Sequence, residues 1–157
     1  MKPKVYLETS IISYLTAVSG TDVVAIARQE ITRDWWSKHR RNYELYVSDV
    51  VEQEASLGNP FMSASRLETI RPLTKLATSE RVIELAEYLV ERKAVPEKAS
   101  TDALHIAIAT VEEMNFLLSW NFKHIVNAQM QGKIQQVCKR EGYRPVTICT
   151  PESLVGE

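Results

Sequence analysis

Along this chain, short apolar runs that stop at polar residues alternate with longer stretches of helical periodicity. Lys4 to Leu7 reads as a buried strand that ends at Glu8. Thr9-Ser10 then reads as the cap of a helix whose apolar side is Ile11, Ile12, Tyr14 and Leu15. Thr21 or Asp22 caps a second helix reaching as far as His39, with Val23, Ile26, Ala27, Ile31, Trp35 and Trp36 as its inner side. Tyr43 to Ser48 alternates as a strand, and Ser48 or Asp49 opens a helix through Val50, Val51, Ala55 and Leu57. Gly58-Asn59-Pro60 breaks it. Phe61 to Leu67 gives a further helix. Ile70-Arg71-Pro72-Leu73 reads as extended, because a proline biases the residue before it away from helix. Thr78 or Ser79 starts an amphipathic helix carrying Val82, Ile83, Leu85, Ala86, Leu89 and Val90, and Pro96 ends the segment.

The stretch from Ser100 to Ala109 is different. It is apolar on nearly every side, so it belongs in a core. Ser100 or Thr101 would cap this helix, Asp102 sits in its first turn, and the pattern continues to Met114. Phe116 to Trp120 is another buried strand, ending at Asn121. Asn127 caps a last helix with Met130, Ile134 and Val137 inward, and Gly142 stops it. Val146 to Cys149 is the final strand. This alternation predicts an α/β fold, a three-layer α/β/α sandwich around a mainly parallel sheet of four or five strands, in a single domain over 1–157. Right-handed crossovers place the carboxyl ends of the strands along one edge. Glu8 and Asn121 lie on that edge; Glu54 and Asp102 reach it from helices that begin there.

Composition narrows the picture little. Of 157 residues, 45% are hydrophobic and 25% charged, and the net charge of -1 gives no sign of a generally basic nucleic-acid binder. Arg28, Arg33, Lys38, Arg40 and Arg41 do form a local basic run, read as a solvated helix face or as a surface for RNA phosphates or a protein. The two cysteines, Cys138 and Cys149, have neither the number nor the spacing of a zinc site or a disulfide framework. No apolar run has the length of a signal peptide or a bilayer span. The expected location is the cytoplasm.

The acids carry the chemistry. Asp102 alone would need no further explanation, since an acid favours the positive end of a helix. Glu52 and Glu54 lie two positions apart on one helix, so at most one faces the cleft, and periodicity does not choose between them. Several carboxylates in one hollow repel each other unless a cation lies between them. Oxygen ligands suit Mg²⁺ or Mn²⁺. Such an ion assists phosphodiester hydrolysis by activating water and neutralising a phosphate oxygen. The sequence has no phosphate-cradling glycine loop, no Gly-x-Ser-x-Gly and no His-Glu-x-x-His.

Four segments together resemble the PIN-domain nucleases, especially the VapC-type toxins. They are Val-Tyr-Leu-Glu-Thr-Ser, Val-Ser-Asp-Val-Val-Glu-Gln-Glu, Asp-Ala-Leu-His-Ile-Ala-Ile-Ala and Leu-Leu-Ser-Trp-Asn, and they span essentially the whole chain. The resemblance implies catalytic positions at Glu8 (where aspartate is usual), Glu54 rather than Glu52, Asp102 and Asn121, with Glu8, Asp102 and Glu54 as metal ligands. Asn121 and Ser119 replace the usual Asp and Thr, so the site carries three formal negative charges where four are common. Ser10 positions a water or an acid, or else caps a helix. His105 is a hydrogen-bonded histidine at the core edge or a base. Lys123 and His124 contact substrate phosphate or are simply solvated. The resemblance further implies Mg²⁺ or Mn²⁺, cleavage of single-stranded or looped RNA, a small antitoxin partner and a homodimer, with Trp35 and Trp36 as interface candidates. The alternative is a catalytically weakened PIN domain that binds RNA or protein. A structure-specific DNA nuclease ranks last, because the chain is short.

Overall fold

The computed structural model describes residues 1–155. One sheet contains β1 (Lys4–Leu7), β2 (Glu44–Ser48), β3 (Thr74–Leu76), β4 (Phe116–Leu118) and β5 (Thr147–Cys149). Its spatial order is β3-β2-β1-β4-β5, and every neighbouring pair is parallel. The helices are α1 (Thr9–Thr16), α2 (Val23–His39), α3 (Asp49–Ala55), α4 (Pro60–Ile70), α5 (Glu80–Glu91), α6 (Ser100–Val111) and α7 (Ala128–Arg140). The expected α/β sandwich is therefore the fold adopted, with five strands.

The chain steps outward from β1 through β2 to β3, returns across the sheet to β4, and steps outward again to β5. Right-handed crossovers put α1 to α4 on one face and α5 to α7 on the other. The packing agrees: α1 lies on α2 and α4, and α5 on α6 and α7. The direction of travel reverses between β1 and β4. In open parallel sheets the crevice at the carboxyl ends of such a pair is where ligands bind.

Burial fixes this arrangement. Val5, Tyr6, Leu7, Leu117 and Leu118 have no accessible surface, as expected for central parallel strands covered on both faces. Ala103, Ile106, Ala107, Ile108 and Ala109 of α6 are equally enclosed. Each fully buried leucine or isoleucine contributes about 1.5–3 kcal/mol to stability.

The structure corrects the sequence reading at several element ends. Glu8, not Thr9 or Ser10, caps α1: its carboxylate accepts from the Ser10 N–H at 3.2 Å. Neither Ser100 nor Thr101 caps α6. A 3₁₀ turn at Glu97–Ala99 feeds directly into the helix, so both hydroxyl residues already lie inside it. Ile70 ends α4 rather than starting an extended run, and the Leu73 N–H bonds the Ile70 carbonyl across a turn containing Pro72. The strand begins only at Thr74.

Helix α2 turns Gln29, Thr32 and Trp35 inward and leaves Val23 and Ala27 exposed. Its buried polar groups are satisfied. Gln29 donates to the Ala17 carbonyl, and Thr32 donates to the Arg28 carbonyl while accepting from the Trp120 indole at 2.8 Å. Trp35 is unavailable as an interface residue, because it is buried, stacked on Tyr43 and hydrogen-bonded to the Leu154 carbonyl.

Helix α6 stops at Val111, short of Met114, because Glu113 adopts a left-handed conformation with φ 58°. The Met114 N–H then closes back onto the Ala109 carbonyl. Gly142 ends α7 in the same way with φ 87°, where glycine carries no side-chain penalty. Glu113 is exposed and pays that penalty. Glu113→Gly is therefore expected to stabilise the fold by about 1 kcal/mol, read as a raised urea midpoint at unchanged slope.

Candidate metal centre

Parallel register lines up the first components. Tyr6 and Glu8 point to the same face of β1, because side chains alternate along a strand. Leu7 pairs with Leu118, and the Glu8 N–H continues the ladder onto the Leu118 carbonyl, so Glu8 lies beside Ser119 at the carboxyl edge. Glu8 is 5% exposed. It accepts from the Ser119 hydroxyl at 2.6 Å and the Ser10 hydroxyl at 2.5 Å. Each hydroxyl also accepts a backbone N–H: Ser119 from Asn121, and Ser10 from Trp120. These bonds lock α1 to the chain leaving β4.

Helix α3 starts at the end of β2, where the Ser48 hydroxyl accepts from the Val51 N–H. Glu54, one residue before the end of α3, turns inward, and Glu52 is exposed. Glu54 Oε1 accepts from the Thr9 hydroxyl and meets His105 Nε2, both at 2.6 Å. His105 is fully buried on α6, and its Nδ1 lies 2.7 Å from the Tyr6 hydroxyl, which in turn lies 2.7 Å from Ser48. With a neutral imidazole Ser48 donates to Tyr6, Tyr6 to Nδ1 and Nε2–H to Glu54; with an imidazolium both ring nitrogens donate, Nδ1–H to Tyr6 and Tyr6 in turn to Ser48.

Glu8, Glu54 and His105 each present a ligand atom, all within 4.8 Å of one another. Asp102 lies outside this tight group. It is 20% exposed, one helical turn before His105, and faces His124 Nδ1 at 3.2 Å. Asn121 uses its side-chain oxygen to accept the His124 N–H at 3.0 Å, and Lys123 is exposed beside it. Hydrogen bonds thus run from Glu8 through Ser119 and Asn121 to His124, whose ring meets Asp102 in an ion-pair contact.

The electrostatics join the three acids at His105. Burial disfavours its imidazolium. The Glu54 hydrogen bond and the charges of Glu8, Glu54 and Asp102 outweigh burial and raise its pKa above the usual histidine value. Burial likewise opposes ionisation of Glu54, but His105 and Thr9 overcome it and hold this carboxyl below the usual range. Burial drives the Tyr6 phenol far above its ordinary pKa, only partly offset by Ser48, so it remains a neutral hydroxyl.

Sequence reasoning missed Tyr6, Thr9 and Ser48 as partners of the acids. The period-two alternation that pairs Tyr6 with Glu8, and the three polar residues Glu8-Thr9-Ser10 at a strand end, were the available signals.

No family model matches this sequence, and no curated protein matches it. Solved structures do match. A chain of VapBC2 from Rickettsia felis, crystallised with a DNA fragment from the promoter, superposes with a TM-score of 0.59 at 14% identity, covering 93% of this chain and 97% of that one. VapC20 of Mycobacterium tuberculosis, a toxin that cleaves the Sarcin-Ricin loop, superposes with a TM-score of 0.59 at 16% identity, covering 76% of this chain and 92% of that one. With its parallel sheet, its strand order and these likenesses, the chain has the PIN-like fold of the VapC toxins.

Proposed function

We propose that the chain is a metal-dependent endoribonuclease that hydrolyses RNA phosphodiester bonds as the toxin of a type II toxin–antitoxin pair. One observation carries this reading: Glu8, at the end of β1, and Glu54, on α3, present ligand atoms within 4.8 Å of each other at the crevice beside β1 and β4. The donor set fits a hard divalent ion. Two carboxylates lie close together and only Glu54 is bonded to the imidazole, which leaves excess negative charge in a poorly solvated place. Oxygen donors suit Mg²⁺ or Mn²⁺. Glu8, Glu54 and Asp102 would hold the ion.

Bound there, the ion supplies a water of lowered pKa and neutralises a phosphate oxygen. The chain's own groups set the geometry. Ser10 and Ser119 hold the Glu8 carboxylate, Thr9 and His105 hold Glu54, and His124 holds Asp102. Both nitrogens of His105 are engaged, so it acts as a positioning residue. Asn121 shapes the loop that carries His124, and Lys123, exposed on that loop, would meet substrate phosphate. RNA as substrate and a small antitoxin as partner are consistent with what the matched structures are named for. The toxin is read as a homodimer working in the cytoplasm; no helix among the described residues is long and apolar enough to cross a membrane.

A second reading, an RNA- or protein-binding module that does not cut, draws on Asn121. Its side chain carries no charge, and its oxygen already accepts the His124 N–H. Metal-dependent turnover separates the two.

The purified chain is expected to cleave single-stranded RNA with Mn²⁺ and not with EDTA. Glu54→Gln and Asp102→Asn should each lower the rate at least about 100-fold, in line with removing groups that stabilise charge in the transition state, without loss of helical circular dichroism. Parent-like cleavage by either variant contradicts that residue's assignment, and a parent that binds Mn²⁺ without cutting supports the binding module. Calorimetry should also find Mn²⁺ affinity about 10–100-fold weaker in His105→Gln, the usual result of losing a group that orients a ligand.

A further inference from the structure

We infer that Phe122 and Arg28 form a subsite for a nucleotide of single-stranded RNA, with a base stacked on the Phe122 ring and a phosphate on the Arg28 guanidinium. The inference rests on the ribonuclease reading but concerns residues that the metal centre does not use.

Phe122 is 43% exposed, although it lies in a well-anchored turn next to Asn121. Its N–H bonds back to the Trp120 carbonyl. Trp120 beneath it is held at both ends, by its N–H on Ser10 Oγ and its indole on Thr32 Oγ1. The two rings meet edge to face with centroids 6.0 Å apart, and Tyr14 meets Trp120 from another side at 6.1 Å. Phe122 is therefore a half-exposed aromatic on a rigid aromatic base. An exposed ring held in place offers a stacking surface with little ordering cost, which is how proteins grip unpaired bases.

Arg28 supplies the complementary charge. Its guanidinium carbon lies over the Phe122 ring at 5.0 Å from the centroid and over Trp120 at 5.6 Å, so the base would take the Phe122 face turned away from Arg28. Among the described residues it faces no carboxylate at salt-bridge distance, and its guanidinium donates no hydrogen bond to protein. The neighbouring Arg33, by contrast, donates to the Leu15 and Ala17 carbonyls. Arg28 thus keeps its fork of donors free beside an exposed ring, and planar donors of this kind match a phosphate. The subsite is one peptide link from Asn121, and Ser10 ties Trp120 directly to Glu8. A strand lying on Phe122 would pass beside the acids. Inside a duplex both faces of every base are covered by neighbouring pairs, so the subsite selects unpaired RNA.

The test is binding, measured separately from cleavage. Fluorescein-labelled octauridylate is titrated with the full chain in EDTA and followed by anisotropy. Phe122→Leu keeps the apolar volume and removes the aromatic face; it should weaken binding roughly tenfold, within the range for a base losing its platform. Phe122→Trp should restore it. Arg28→Gln should weaken binding and lower the salt slope by about one. A blunt RNA duplex should bind more weakly than octauridylate and be indifferent to Phe122→Leu. The inference is overturned if Phe122→Leu binds like the parent, if Phe122→Trp fails to recover binding, if the duplex binds as well, or if the parent does not bind octauridylate. Cleavage by a parent whose Phe122→Leu variant binds normally would refute the subsite alone; octauridylate binding that depends on Phe122 in a chain that never cleaves would refute the nuclease reading alone.

Discussion

Carboxylates gathered at the ends of central parallel strands are the constraint on which this molecule turns. The sheet places Glu8 where water scarcely reaches, and α3 brings Glu54 to the same spot. Burying like charges together costs several kcal/mol unless each is hydrogen-bonded and their sum is offset. The chain meets the first demand with hydroxyls: Ser10 and Ser119 on Glu8, and Thr9 on Glu54. It meets the second in part with His105, which sits between them without accessible surface. A net negative charge remains, and it is the physical basis of the proposed cation site.

Helix α6 connects this site to the rest of the fold. Its residues are enclosed because it fills the space between the sheet and α5, so its register is fixed by packing rather than by surface charge. Asp102 and His105 inherit that rigidity. One turn of helix separates them, which sends His105 inward to Glu54 and leaves Asp102 nearer solvent with His124. The topology does the same for the remaining parts. The reversal between β1 and β4 opens a crevice, and the loop after β4 closes one side of it through Asn121.

Much of this architecture was readable in the sequence, for identifiable reasons. Central strands such as Val5-Tyr6-Leu7 and Phe116-Leu117-Leu118 are buried on both faces, so their continuous apolar runs stand out. The enclosed α6 was plain from its lack of a polar side. The placement of Glu54 inward and Glu52 outward depended on helix register, which two acids at alternate positions leave open until packing is known. Helix α2 misled because Gln29 and Thr32 face inward on tertiary hydrogen bonds that no local pattern reveals. The cap of α6 misled because a preceding 3₁₀ turn absorbed the entry to the helix. At the site itself, the acids announced themselves by type and position. Their partners did not: Tyr6 looks like any strand residue, and only the parallel register shows that its hydroxyl reaches His105 and Ser48.

Anomalous diffraction from crystals of this chain soaked in MnCl₂ tests the central claim most directly. A peak bonded to carboxylate oxygens of Glu8 and Glu54, at roughly the 2.0–2.2 Å expected for a small divalent ion, is the predicted result. A crevice without a peak at saturating manganese, or manganese found only on exposed acids such as Glu52, would contradict it.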